Sequence, residues 1–181
     1  MTNKNKILKL CLIAVGVLIN VVMPFVALTL KLPIYMDSIG TILIAALLGA
    51  KYGMVTGVMG ALISGVTFDI YSLYYFPVQI LTATMTAYVF RHEKLSKHSL
   101  IGGLFISFPT SIASALITAY VFGGLTSSGS TYIIYFIQGL GFNLTLSCFI
   151  GQILTEYFDK LLALVLVKTF VERGGRKYGT L

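Results

Sequence analysis

The sequence predicts an all-α integral membrane protein, a bundle of six membrane-crossing helices with both termini on the cytoplasmic face. Three observations predict it. The 181-residue chain is 57% hydrophobic and only 10% charged, with a mean hydropathy of +0.91, whereas a soluble domain carries about a quarter charged residues. Apolar runs recur along the chain at lengths suited to a hydrocarbon core about 30 Å thick, which a helix of about 20 residues crosses. The basic residues fall in alternate connections, and Lys/Arg excess marks the cytoplasmic side. This composition excludes a cytosolic enzyme, a disordered segment and a nucleic-acid binder driven by a basic face.

The chain reads as a single membrane domain over residues 1–181, with spans at about 7–30, 38–50, 53–68, 77–90, 100–122 and 141–171. The first run is interrupted only by Asn20 and Pro24. It lacks the short apolar core and small-residue cleavage site of a signal peptide, so it is expected to be retained and kinked at Pro24. The second run is short for a full crossing. Pro77 opens the fourth helix, and a stretch rich in Gly, Ser and Thr after residue 122 reads as a loop. Residues 132–140 are expected to form an outer-face cap or a lead-in to the last helix.

Charge fixes the count of spans. Lys4, Lys6, Lys9, Lys51, Arg91, Lys94, Lys97, Arg173, Arg176 and Lys177 all belong to one side, while the loops after spans one, three and five carry only Lys31. Both termini therefore lie inside, which requires an even number of crossings. The net charge of +7 is then largely a topology signal. Cys11 and Cys148 match no metal or disulfide spacing. There is no Trp, so interfacial anchoring falls to eleven Tyr.

Several chemistries find no motif. No phosphate-binding loop is present. His92 and His98 read as solvated loop residues, because a zinc site needs three or four converging donors. No cofactor is expected, and no carboxylate cluster suited to catalysis is apparent. Asn143-Leu-Thr145 matches a glycosylation acceptor but sits in an apolar run. Small residues recur every four positions, at Ala45, Gly49, Gly53, Gly57, Ala61 and Gly65, and again at Ser107, Ser111, Ala115, Ala119 and Gly123. Such stripes let helices approach closely in lipid. Two readings stand: internal packing, and a face on which partner helices slide.

Polar groups at membrane depth are costly and so mark functional candidates. Asp37, Asp69, Tyr71, Tyr74, Tyr75, Gln79, Gln138 and Asn143 gather on the outer side of the expected topology. Sparse polar groups among aromatics suit a capped site for a small organic molecule. Plainer roles compete with this one. Asp37 fits a helix N-cap, the tyrosines fit an interfacial belt, Glu156 and Lys160 fit an i,i+4 ion pair, and Asp159 fits a local cap or pair.

The segment Leu-Pro-Ile-Tyr-Met-Asp-Ser-Ile-Gly-Thr (residues 32–41), its apolar continuation to Gly49, the following Lys-Tyr-Gly and the glycine-rich helix resemble a known family. So does Asp159-Lys160-Leu-Leu before a basic tail. The family is the substrate-binding S components of energy-coupling factor (ECF) transporters, the ABC-type importers of vitamins and other micronutrients in the prokaryotic plasma membrane. Likeness in size and six-helix layout covers nearly the whole chain. The resemblance implies a non-enzymatic subunit that captures a vitamin-like substrate from outside and topples in the membrane. A coupling transmembrane protein and two ATPase subunits would supply the energy. It also implies that loops 1, 3 and 5 close over the ligand, which agrees with the polar and aromatic residues picked out independently; Tyr35, Asp37, Tyr74, Tyr75, Gln79, Gln138 and Asn143 are the expected binding set. The family's Ala-x-x-x-Ala contact on helix one has its nearest equivalent at Ala14, Gly16 and Leu18, where the second alanine is lost. A small membrane enzyme and a stand-alone oligomeric carrier remain as alternatives.

Overall fold

A computed structural model describes residues 3–92, 95 and 97–174, with side chains described as far as residue 171. Lys94, Arg176 and Lys177, which the charge argument used, lie outside the described residues. Those described form helices joined by short connections, with no strand among them. The helices are α1 (Asn3–Thr29), α2 (Ile39–Leu48), α3 (Ala50–Thr67), α4 (Tyr71–Tyr74), α5 (Phe76–Arg91), α6 (Ser99–Leu116), α7 (Ser130–Gly139) and α8 (Leu144–Gly174). A π-helical turn, Ile117–Val121, extends α6.

Two helical segments, Asn3–Thr29 and Ser99–Val121, are long and apolar enough to cross a membrane. Their outward faces are strongly apolar: Ile7, Leu10 and Leu18 on α1 and Leu100, Leu104 and Phe108 on α6 are all more than half exposed. The ten residues of α2 span only about 15 Å at 1.5 Å per residue. The chain between α1 and α2 makes up the distance as non-helical backbone, descending alongside α1 until residue 40 meets Asn20.

The small-residue stripes are internal. Ala45, Gly53, Gly57, Ala61 and Gly65 are buried, as are Ser107, Ser111, Ala115 and Ala119. A Cβ at Gly53 would collide with Ala45, one at Gly57 with Gln79 and Thr41, and one at Gly60 with Asn20. A Cβ at Gly40 would overlap the Gly16 carbonyl. The stripes thus bring α1, α2, α3 and α5 close enough for their few polar side chains to meet. Gly49, with φ +94° between α2 and α3, supplies the left-handed turn that glycine adopts without steric cost.

Helix α6 packs most extensively on α8. Two apolar clusters occupy the interior. One gathers Ile39, Ile42, Val89, Ile106, Ala163, Leu164 and Val167; the other gathers Ala115, Ala119, Ile134 and Cys148. Along α6 and α8 these clusters bracket a polar band. Buried hydroxyls on the helices mostly donate to the carbonyl one turn back, as at Thr82, Thr110 and Thr155, which satisfies them without any partner helix.

Residues 130–139 form a helix of their own, separated from α8 by a turn at Gly141 with φ +95°. The last helix therefore starts at Leu144 rather than 141. The side chain of Asn143 accepts the Leu146 N–H at 2.9 Å and caps it.

Candidate functional site

The connection 30–38 (loop 1), the segment 68–75 (loop 3) and the connection 122–129 (loop 5) meet at one end of the bundle. Gly129 N–H donates to the Leu32 carbonyl at 3.1 Å, and the Tyr35 and Ser130 hydroxyls lie 3.1 Å apart, joining loop 1 to loop 5 and the start of α7. Ser127 donates to the Asp69 carboxylate at 2.8 Å, joining loop 5 to loop 3. Asp69 also holds its own loop, accepting from Tyr71 N–H and Ser72 Oγ. Below the loops, a crevice touched by Tyr35, Asp37, Asp69, Ser72, Ser127 and Ser128 has room of about 10 Å³, enough for about one water. The loops are shut in this conformation.

Beneath loop 1 lies a buried charge cluster. On α8, Gln152, Glu156 and Lys160 recur every four residues and Asp159 stands beside them, so all four share one helix face. Lys160 Nζ lies 3.0 Å from Asp159, 3.2 Å from Glu156 and 3.9 Å from Asp37, and donates to Ser38 Oγ at 2.9 Å. Asp159 accepts the Met36 N–H at 2.7 Å and the Ser38 hydroxyl at 3.2 Å. Ser114 donates to Glu156 Oε1 at 2.8 Å. Three carboxylates therefore surround one ammonium. Sequence shows no carboxylate cluster, and the fold makes one, because loop 1 descends to α8 and brings Asp37 to Glu156 and Asp159.

Asp37 differs from its neighbours in exposure: 27% of its side chain remains open, against 1% for Asp159 and 5% for Glu156. Burial raises its carboxyl to about 7 against the opposing pull of Lys160. Asp37 does not cap α2 as expected of a helix N-cap. The N-cap position is Ser38, which makes no side-chain capping bond. Asn20 serves instead from α1, its Oδ1 accepting Gly40 N–H at 2.7 Å and Thr41 N–H at 3.3 Å.

Asn20 begins a second network. Its Nδ2 donates to Thr41 Oγ1 at 2.7 Å, Thr41 donates to Gln79 Oε1 at 2.7 Å, and Gln79 Nε2 reaches the Asp37 carbonyl at 3.3 Å. A third network joins Tyr75, Thr118 and Gln152. Thr118 donates its only proton to the Ser114 carbonyl, so it must accept from both the Tyr75 hydroxyl at 2.6 Å and Gln152 Nε2 at 2.8 Å. This fixes the amide of Gln152, whose buried Oε1 is left without a hydrogen-bond partner. Tyr75 also lies 6.2 Å from Tyr35 and stacks on Phe122 at 6.2 Å. Burial pushes both the Tyr35 and Tyr75 phenols up, so both remain neutral donors.

Of the residues singled out from sequence, Tyr35, Asp37, Tyr75 and Gln79 come together here. Tyr74 is half exposed and packs edge-on against Phe122. Gln138 is exposed, and Asn143 is an exposed cap of α8; neither reaches the networks. Glu156 and Lys160 pair as their spacing indicated, and the pair is also part of the cluster. On α1, Ala14 and Leu18 are exposed, whereas Gly16 is buried against Gly40, Ile44 and Thr56 and presents nothing outward. Asn20, Thr118, Gln152, Glu156, Asp159 and Lys160 were missed as site residues. The signal was available: each is a polar or ionisable side chain inside an apolar run, which is expensive unless it has a job.

No protein-family model matches the chain, and no curated protein or solved structure is significantly similar to it.

Proposed function

We propose that the chain is the substrate-capturing membrane subunit of an ATP-driven micronutrient importer, with six membrane crossings and both termini in the cytoplasm. A vitamin-like small molecule would bind from outside beneath loops 1, 3 and 5, and a coupling membrane protein with two ATPase subunits would drive its delivery. The observation that carries this reading is the mutual hydrogen bonding of the three loops over a buried polar cluster. Irregular backbone at membrane depth is tolerated only where protein buries it or where it lines a cavity, and loop 1 is backbone of that kind. The apolar outward faces of α1 and α6 and the one-sided basic residues support a bilayer setting.

The test is to purify the chain alone and measure thermal stabilisation by a panel of vitamins, nucleobases and amino acids, since a ligand of the native state raises stability with its concentration. One compound is expected to stabilise the chain, and Tyr75→Ala and Gln79→Ala are expected to weaken it. No stabilisation by any compound, with uptake in cells unchanged by both substitutions, would overturn the assignment.

A membrane enzyme is a second reading, favoured by the three carboxylates at Lys160. Its mark would be turnover that Glu156→Gln abolishes while binding persists.

A further inference from the structure

Resting on the proposed binding role, we infer that the ligand is an organic cation bearing N–H donors, a protonated amine or amidinium, received between Gln152, Glu156 and Asp37 beside the Tyr75–Phe122 stack.

Acids outnumber cations at the site. Asp37, Glu156 and Asp159 face one ammonium, that of Lys160. Among the described residues no other cation touches these carboxylates. A ligand carrying a carboxylate or phosphate would enter a site already dominated by acids. Charges in a water-poor interior interact strongly, so an approaching anion is repelled and a cation is drawn in.

Independently of charge, the site is short of hydrogen-bond donors. The amide of Gln152 is oriented by Thr118, which has no proton left to give. Its Oε1 is fully buried and unpartnered. Glu156 is met only in part: Ser114 satisfies Oε1, while Oε2 has its ion pair with Lys160 at 3.2 Å but no hydrogen bond. Leaving a buried acceptor unmade costs about 1–3 kcal/mol. What the site lacks is therefore a donor. A ligand N–H supplies such a donor, whereas a carbonyl or ether oxygen does not.

An aromatic wall points the same way. Tyr35, Tyr75 and Phe122 stand in sequence with ring centroids 6.2 Å apart, and the negative faces of such rings attract cations. The acids do not converge as metal ligands: no group of three or more metal-binding side chains is close enough to hold an ion among the described residues. That favours an extended organic cation over a bare metal ion.

The experiment is a thermal-shift titration of the purified full chain with the vitamin, nucleobase and amino-acid panel sorted by charge at pH 7. Benzylamine, benzyl alcohol and benzoate are added as matched cationic, neutral and anionic probes. The strongest stabiliser is expected to be a cation with N–H groups, and benzylamine is expected to outrank its two partners. Glu156→Gln and Asp37→Asn are each expected to weaken the best cation at least about tenfold. Asp37 is the more open of the two acids, so its variant keeps the test alive if Glu156→Gln fails to fold. A neutral or anionic best ligand, or a cation whose affinity neither variant changes, overturns this inference and leaves the binding role standing. Stabilisation by nothing overturns both.

Discussion

Asp159, in the middle of α8, accepts the backbone N–H of Met36 at 2.7 Å across 123 residues of sequence. Met36 has φ 56°, a left-handed conformation that costs a residue with a Cβ about 1–2 kcal/mol. The carboxylate is thus the clasp that holds loop 1 in a strained shape against the bundle. The same Asp159 takes the Ser38 hydroxyl and the Lys160 ammonium, so loop geometry and cluster charge are set by one side chain.

Asp159→Ala should therefore destabilise the fold by about 1–3 kcal/mol, because the Met36 N–H and the Ser38 hydroxyl lose their buried acceptor, while Lys160 keeps Glu156. Asp159→Asn keeps an acceptor for Met36 and should cost less. Thermal unfolding of the two variants in the same detergent checks the order. Equal melting temperatures for the two would remove the clasp.

Asn20→Leu should be destabilising by about 1–3 kcal/mol, because Gly40 N–H and the Thr41–Gln79 pair lose their anchor in a dry interior. The affected groups belong to the start of α2, so hydrogen exchange at residues 39–41 should accelerate before the rest of the bundle. Uniform acceleration would argue against a local anchor.

Gly40→Ala should abolish folded yield, because the added methyl meets the Gly16 main chain and neither helix has a flexible side chain to move aside. Gly49→Ala meets nothing within 4 Å and costs only its backbone conformation, φ 94° and ψ 172°, a glycine region that strains a residue with a Cβ by about 1–3 kcal/mol. Monodisperse yield in size-exclusion chromatography separates the two. A well-folded Gly40→Ala protein would mean that α1 and α2 are farther apart than described.

The raised carboxyl of Asp37 gives a signed pH dependence. Its ordinary value is 3.8 and its folded value about 7, so between these the folded chain holds more protons than the unfolded one. The stability this proton confers is complete below about pH 4 and is lost as pH rises through about 7. Glu156, Asp159 and Lys160 on α8 face the same carboxylate, and Gln79 approaches from α5. Melting temperature against pH should slope downward across that window, and Asp37→Asn should flatten it. A slope unchanged in the variant would assign the effect elsewhere.

Much of the helical layout was legible, and the reasons are local. Pro77 falls in the first turn of α5, where proline is tolerated, and the apolar runs closely match α1, α3 and α6. The Asn143 cap was also within reach, since an Asn before an apolar run is a start signal; it was instead counted among binding residues. The charge cluster was not legible. Glu156 and Lys160 advertise their pairing by i,i+4 spacing, but nothing in sequence announces that Asp37 and Ser38 dock on them. That contact depends on the close approach of α1, α2 and α3, and only packing reveals which polar residues the glycines bring together. Asn20 shows the same limit: in sequence it only interrupts a span, though its partners lie 20 and 21 residues away on α2.

On the proposed role, this chain would bind a small molecule beneath its three loops and would not move it unaided. The most direct measurement combines equilibrium binding of the best-stabilising compound to the purified chain with flux of the same compound into liposomes holding that chain alone. Saturable binding at one molecule per chain, with no net transport, is the expected result. Saturable transport without any ATPase, or the absence of binding, would contradict it.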